Sequence, residues 1–282
     1  NGFITNDEVT LLETGTGTFA QEHVGTGITV NITGLSISGS DSGNYNFTTT
    51  ASTTADITQK GITVTGITAS NKVYDSETTS TIDTDSASLV GKVTNDNLTL
   101  NKASAIGTFS QEHVGSGITV NISGLSLDGD DNSNYSLTQP STTANISQKA
   151  LSATGITADS KVYDSEVSAT LVYTGAGWSG LIVGDTVTLE QTGTGVFAQE
   201  HVGSSITVNI SGLTISGSDN GNYNFTATAS TTADITQKGI TVTGITASNT
   251  TVGIVLDSLS ATAGTDGLNL NNVTGTVTIL DR

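Results

Sequence analysis

Three histidines occur in the same five-residue motif, Gln-Glu-His-Val-Gly, and they are the first candidates for catalysis or metal binding. They are His23, His113 and His201. A hydrolase would need a nucleophile and an orienting acid around each histidine, and a metal site would need several ligands. Each motif supplies one histidine and one neighbouring glutamate, at Glu22, Glu112 or Glu200. We therefore predict a structural turn beside an acidic neighbour at each histidine, with no catalytic residue and no enzymatic activity.

An acidic loop in the middle of the chain is the next candidate, in this case for calcium. Its oxygen-bearing side chains alternate as they do in calcium-binding loops: Asp128, Asp130, Asn132 and Asn134. The sixth position of the pattern is not the glycine that such loops require, and the twelfth is Gln139 instead of glutamate. We predict an Asx-rich turn, with calcium as the less favoured alternative and no other cofactor.

Four further residues have chemically distinctive positions. Lys60, Lys149 and Lys238 recur in Gln-Lys pairs, where an isopeptide bond to Asn or Asp is an alternative to a simple surface lysine. Trp178 is the single tryptophan of the chain. A lone exposed tryptophan can bind a sugar or a protein partner, but a packing role is the favoured interpretation.

The charge of the chain bears on its partners. The chain has 26 acidic and 8 basic residues, giving a net charge of −18, and it contains no cysteine. A strongly negative field does not attract nucleic acid or anionic membranes, so we expect neither as a partner and no insertion into a membrane. The absence of cysteine excludes a disulfide framework and a thiol nucleophile.

Internal repetition sets the domain organisation. Residues 51–71 recur letter for letter at 229–249, and the histidine motifs are 90 and 88 residues apart, so the unit is about 89 residues long. The predicted boundaries are an incomplete first repeat at 1–60, complete repeats at 61–149 and 150–238, and a divergent segment at 239–282 that opens with the first strand of a further repeat.

Periodicity within the unit predicts an all-β fold. Ile118, Val120 and Ile122 alternate with polar residues, which is typical of a half-buried strand. A unit of this length with six or seven short strands favours a closed sandwich over a solenoid. The turn that ends in Tyr135, two residues before the apolar Leu137, resembles the tyrosine corner of immunoglobulin-like sandwiches. We therefore expect tandem immunoglobulin-like β-sandwiches in which this hydroxyl binds the backbone of its own corner.

An ordered set of short motifs resembles a known repeat. Two Lys-Val-Tyr-Asp segments end at Asp75 and Asp164, and the second is followed in order by Gly-Asp-x-Val-Thr-Leu at 184–189, His-Val-Gly, Gly-Asn-Tyr and Thr-Ala-Asp-Ile motifs. This order resembles the YDG-type repeat of large bacterial surface adhesins related to filamentous haemagglutinin. The Tyr-Asp-Gly of the family reads Tyr-Asp-Ser here, at Ser76 and Ser165. The resemblance implies an extracellular stalk or adhesin role and brings no catalytic residues.

Two functions are therefore expected of the chain. The first is a stalk or spacer in a bacterial surface adhesin or extracellular fibre, whose partners are neighbouring repeats. The alternative is a self-assembling filament, in which the C-terminal segment of one subunit completes the first repeat of the next by donor-strand complementation. A glycan-binding module based on Trp178 is a third, weaker hypothesis.

Overall fold

The computed structural model describes residues 2 and 4–241, and within them every regular element is a β-strand or a short 3-10 helix. Residues 242–282, which include most of the predicted divergent segment, lie outside the described residues. The first repeat contains β1 (Thr10–Leu12), β2 (Thr16–Phe19), β3 (Gly25–Thr33), β4 (Ser36–Ser38), the 3-10 helix Ser42–Asn44 and β5 (Ala51–Ile57).

The second repeat contains twelve strands, several of them only two residues long. They are β6 (Lys60–Thr65), β7 (Thr68–Ala69), β8 (Lys72–Val73), β9 (Thr79–Ser80), β10 (Ile82–Asp83), β11 (Ser88–Val90), β12 (Thr99–Asn101), β13 (Ile106–Phe109), β14 (Gly115–Ser123), β15 (Ser126–Asp128), β16 (Tyr135–Leu137) and β17 (Ser141–Ser147). A 3-10 helix, Asn132–Asn134, precedes β16.

The third repeat has the same order of elements. Its strands are β18 (Lys149–Thr154), β19 (Thr157–Ala158), β20 (Lys161–Val162), β21 (Ser168–Ala169), β22 (Leu171–Val172), β23 (Gly177–Ser179), β24 (Thr188–Glu190), β25 (Thr194–Phe197), β26 (Gly203–Ser211), β27 (Thr214–Ser216), β28 (Tyr223–Thr226) and β29 (Ala229–Thr236). The 3-10 helix Asn220–Asn222 precedes β28.

Each complete repeat has one five-stranded and one three-stranded sheet. In the second repeat the strand orders are β8-β17-β14-β13-β9 and β11-β6-β16, and β12 with β15 and β10 with β7 form two further two-stranded sheets. The opening strand β6 runs parallel to β16, and β8 runs parallel to β17. The opening segment of a repeat is thus paired with the closing segment, although about 75 residues of sequence separate them.

The core of a repeat lies between its two sheets. Ile118, Val120 and Ile122 are buried and alternate with exposed residues along β14, as the period-two pattern predicts. Val64 of β6 and Leu125 after β14 are buried in one cluster with Ile122, against which residues of β11, β12 and β16 pack. The predicted all-β fold with tandem repeats is confirmed, and the immunoglobulin-like class stays a prediction.

Two details differ from the sequence-based expectation. Each complete repeat has twelve strands where six or seven were expected, because isolated two-residue pairings divide the opening half into short pieces. The hydroxyl of Tyr135 binds a loop 42 residues upstream instead of its own corner. It accepts a hydrogen bond from the backbone N–H of Val93 at 2.9 Å and donates one to the Asp96 carboxylate at 2.5 Å.

Candidate functional site: the joints between repeats

The Gln-Glu-His-Val-Gly motif forms a turn in each repeat, and in the first and second repeats this turn faces the following repeat. In the second repeat the Gln111 side chain donates a hydrogen bond to the backbone carbonyl of His113 at 3.4 Å, which closes the turn. Gln21 and Gln199 do the same in the other two repeats. The prediction of a structural turn is confirmed, and in the first and second repeats the side-chain partner of the histidine is an asparagine amide of the following repeat.

At the first joint, this turn binds an asparagine in the 3-10 helix of the second repeat. The backbone N–H of Val24 donates to Asn134 Oδ1 at 3.0 Å, and Asn134 Nδ2 lies 3.1 Å from His23 Nδ1. Since Asn134 Oδ1 accepts from Val24, its Nδ2 is the donor and the imidazole Nδ1 must accept. One asparagine therefore hydrogen-bonds to both the backbone and the histidine side chain of the turn in the repeat before it.

The second joint repeats this arrangement. The backbone N–H of Val114 donates to Asn222 Oδ1 at 3.2 Å, and Asn222 Nδ2 lies 3.3 Å from His113 Nδ1. Asn222 is 5% exposed and is the single buried polar side chain among the described residues. The corresponding Asn134 is half-buried, and the corresponding Asn44 of the first repeat is exposed.

A glutamine just before each repeat boundary makes a third contact. Gln59 donates to the backbone carbonyl of Ser133 at 3.0 Å, and Gln148 donates to the carbonyl of Gly221 at 3.1 Å. Both acceptors belong to the same 3-10 helices that carry the joint asparagines. Each joint is therefore held from two sides, by the histidine turn and by the glutamine of the connecting segment.

The second joint also has an apolar centre. Tyr74 of the second repeat is 2% exposed and packs edge-to-face against Tyr223 of the third repeat, with ring centroids 5.7 Å apart. Both rings belong to one buried cluster that draws residues from the two repeats, including Phe109 and Leu151. Because this cluster crosses the boundary, the two repeats share part of a hydrophobic core.

Burial and one carboxylate change the acidity of both rings. Burial and the hydrogen bond to Asp185 together raise the pKa of Tyr223 to about 12, against the opposing effect of the Ile182 N–H. Burial also raises the pKa of Tyr74, with Asp185 as the next cause. Asp185, in the third repeat, thus interacts with a tyrosine of its own repeat and with one from the repeat before.

In each repeat the same tyrosine, which follows the 3-10 helix, makes two hydrogen bonds to the loop that carries an aspartate. The Tyr223 hydroxyl accepts from the Ile182 N–H at 3.0 Å and donates to Asp185 Oδ2 at 2.6 Å. In the first repeat the Tyr45 hydroxyl accepts from the Ile4 N–H and donates to Asp7. These hydrogen bonds hold the loop that carries the aspartate next to the 3-10 helix, so the loop and the helix are positioned together.

The Lys-Val-Tyr-Asp segment is held by its own lysine and aspartate. Lys72 Nζ lies 2.6 Å from Asp75 Oδ1 and 5.5 Å from the centre of the Phe109 ring. Partial burial would raise the pKa of the Asp75 carboxyl, but the Lys72 ammonium and the Glu77 N–H outweigh it and hold the pKa below its usual value. This clamp fixes the backbone on both sides of Tyr74.

The acidic loop proposed for calcium distributes its side chains among protein partners. Asp128 accepts a hydrogen bond from Asn101, Asp130 accepts one from Asn97, and Asn134 belongs to the first joint. Among residues 2 and 4–241, no group of three or more His, Asp or Glu side chains is placed to hold a metal ion.

The lysine and tryptophan candidates occupy structural positions. Lys60 and Lys149 are the first residues of β6 and β18 and pair with Tyr135 and Tyr223 in the parallel ladders. Within the described part of the chain the ion pairs are Lys72–Asp75 and Lys161–Asp164, so neither boundary lysine is paired with an aspartate. Trp178 is partly buried and packs edge-to-face against Phe225 at 6.1 Å. The favoured packing role of this ring is confirmed.

Comparison with protein-family models identifies the repeat. A model described as the YDG domain matches three successive segments, residues 1–55, 58–144 and 147–233. The chain belongs to the YDG-domain family. No curated protein and no solved structure matches the chain. In the range that the structure describes, no helix is long and apolar enough to cross a membrane.

The structure gives each letter of the YDG motif a physical role. Tyr74 lies at the second joint, and Asp75 and Asp164 each bind the lysine two residues before their tyrosine. The third position has a left-handed backbone, with φ of 59° at Ser76 and 63° at Ser165. Glycine adopts that conformation without steric cost, whereas serine does not. The departure from the family motif therefore introduces backbone strain at Ser76 and Ser165.

Proposed function

We propose that this chain is a structural spacer, a tandem YDG array in a bacterial cell-surface adhesin or extracellular fibre. The observation that carries the proposal is that both described joints use the same contacts, histidine turn to asparagine and glutamine to carbonyl. A chain of repeats docked in this way keeps its two ends apart at a defined distance. Its stability is a sum over repeats and nearest-neighbour joints.

The charge and residue chemistry agree with a spacer. A net charge of −18 keeps neighbouring arrays apart and soluble. His23 and His113 contribute to joints, and Trp178 packs against Phe225, so the proposal includes neither catalysis nor a nucleic-acid or membrane partner. Its partners are adjacent repeats, and its location is extracellular.

Distance measurements between repeats test the spacer. The chain has no native cysteine, so spin labels can be attached at Thr94→Cys and Val183→Cys, two exposed positions in corresponding loops of the second and third repeats. We expect one narrow distance distribution that broadens when Gln148→Ala and Asn222→Ala are combined. A wild-type distribution as broad as that of the joint variant would contradict a defined spacer. An antibody to the chain should also label intact cells of the source organism.

A second candidate function is a filament built by donor-strand complementation. The observation that favours it is that the sheet of β2, β3 and β5 has three strands where the corresponding sheets of the other repeats have five. Residues 239–249 have the sequence of the opening strand at 61–71 and would be the donor. Light scattering of the eluting 282-residue chain separates the two candidates. Laddered polymers support the filament, and a monomer excludes it.

A further inference from the structure

The opening and closing segments of each complete repeat are paired in parallel, and we call this pairing the terminal ladder. Residues 60–73 run parallel to 135–147 in the second repeat, and residues 149–162 run parallel to 223–236 in the third. The two ends of each ladder are marked by register partners: Lys60 with Tyr135, Val73 with Ser147, Lys149 with Tyr223 and Val162 with Thr236. The chain therefore enters a complete repeat at one end of its ladder and leaves the repeat at the other end.

Further hydrogen bonds join the two segments of the second repeat near the end where the chain leaves it. Asn71 Oδ1 accepts a hydrogen bond from the backbone N–H of Asn145 at 2.7 Å. The Ser147 hydroxyl donates to the carbonyl of Lys72 at 3.2 Å, and the N–H of Tyr74 donates to the carbonyl of Ser147 at 2.9 Å. Side chains thus add bonds across the ladder beyond those of the strand pairing.

The third repeat has the same bonds at the corresponding positions, although some of its residues differ. Ser160 Oγ, in place of an asparagine, accepts from the backbone N–H of Asp234 at 3.0 Å. The Thr236 hydroxyl, in place of a serine, donates to the carbonyl of Lys161 at 3.2 Å, and the N–H of Tyr163 donates to the carbonyl of Thr236 at 2.9 Å. The cross-strand connections are therefore common to both complete repeats even where the side chains that make them are not.

We propose that the terminal ladder bears tension, so that each complete repeat resists unfolding when the array is stretched. Stretching pulls the start of the opening segment one way and the end of the closing segment the other way. Because the two segments are parallel, this pull slides one strand along the other and loads the cross-strand hydrogen bonds together. Two strands pulled apart sideways lose their bonds one at a time. The load-bearing role rests on the proposed spacer function, since a spacer that unfolds under tension loses its defined length.

The part of the repeat between the two segments lies off the path of the load. In the second repeat this part is residues 75–134, and it includes the hydrogen bond from the Ala103 N–H to Asn101 Oδ1 at 3.0 Å. Such bonds are still formed when the ladder breaks. Interactions that are intact in the transition state have little effect on the rate of unfolding, so bonds of this part should not affect the rate under load.

Single-molecule force spectroscopy with two directions of pull tests the proposal. Handles at the two ends of the 282-residue chain load each ladder along its length, and each repeat that unfolds should release up to about 300 Å of chain. The chain has no native cysteine, so handles at Gly61→Cys and Ser136→Cys, two exposed register partners, load the ladder of the second repeat sideways. We expect the sideways pull to open the second repeat at a lower force than the end-to-end pull needs for either complete repeat. An equal or higher force for the sideways pull overturns the proposal.

Two asparagine variants of the second repeat provide a matched comparison under constant end-to-end force. Asn71→Ala removes the acceptor of a ladder bond and should raise the unfolding rate about two- to tenfold, the equivalent of one hydrogen bond. Asn101→Ala removes the acceptor of a backbone N–H outside the ladder and should leave that rate unchanged. Ser160→Ala repeats the first test in the third repeat.

The proposal is also overturned if Asn101→Ala raises the unfolding rate under force as much as Asn71→Ala does. The spin-label distances between repeats depend on the joints and not on the ladder. A failure of the ladder would leave the narrow distance distribution intact, whereas a failure of the spacer function would broaden it in the unmodified chain.

Discussion

Replacing Tyr74 by alanine should weaken two repeats at once. The side chain is 2% exposed, and removal of a large buried aromatic ring costs about 3–5 kcal/mol in a core that relaxes only partly. Within that cost, the edge-to-face contact with Tyr223 accounts for about 0.5–1.5 kcal/mol. That smaller part belongs to the joint and should appear as a loss of stability in the third repeat, whose sequence is unchanged.

The single tryptophan makes the two effects separable. Trp178 lies in the third repeat, so its fluorescence in a urea titration reports that repeat, while far-ultraviolet circular dichroism reports all strands. Leu125→Ala is the matched control, because Leu125 is buried in the second repeat in a cluster drawn from that repeat alone. Both variants should destabilise the second repeat, but Tyr74→Ala should lower the Trp178 midpoint more. Equal Trp178 midpoints for the two variants would refute a joint that acts through Tyr74.

Three other predictions follow from the geometry. Ser76→Gly should raise the unfolding free energy by about 0.5–1 kcal/mol by relieving the left-handed backbone, while Ser76→Ala should not, as urea titration will show. Asn222→Ala should cost about 1–3 kcal/mol because the Val114 N–H loses its acceptor, whereas Asn44→Ala, at an exposed position, should change stability by less than about 0.5 kcal/mol. The Lys161 ammonium and the Glu166 N–H hold the pKa of Asp164 below its usual value. The contribution of this carboxylate to the unfolding free energy is therefore complete above about pH 4 and is lost as the pH falls through the lowered pKa. The unfolding free energy of Asp164→Asn should depend less on pH in that range.

The fold of a single repeat was largely predictable from local pattern. Alternation at Ile118, Val120 and Ile122 predicted one buried face of β14, and the structure has it. Left-handed turn positions are also recognisable in the sequence. Asn6 and Asn95 have positive φ, and the corresponding residue of the third repeat is Gly184. Strand alternation and left-handed turns depend on residues that are close together in the sequence, so the sequence pattern alone indicates them.

The joints were not predictable in the same way. His23 and Asn134 are 111 residues apart, and both belong to motifs that recur in every repeat. Recurrence shows that such residues serve the repeat but not which copy they contact, and an interpretation within one repeat pairs each histidine with its adjacent glutamate. The tyrosine of Lys-Val-Tyr-Asp was equally ambiguous, because a core role and a joint role both require burial.

Differences among the three repeats agree with the joint assigned from the contacts. The asparagine and the glutamine are identical in all three copies, as are the histidine and valine of the turn. The residue before the asparagine is glycine in two copies and Ser133 in the second, and there the joint uses only a backbone carbonyl, which any side chain permits. The acidic positions Asp128 and Asp130, which lie outside the joint contacts, are serines in the other repeats. Each repeat must present one face to the repeat before it and another to the repeat after it. A change on either face would mismatch a neighbour, and this restricts variation to positions that the joints do not use.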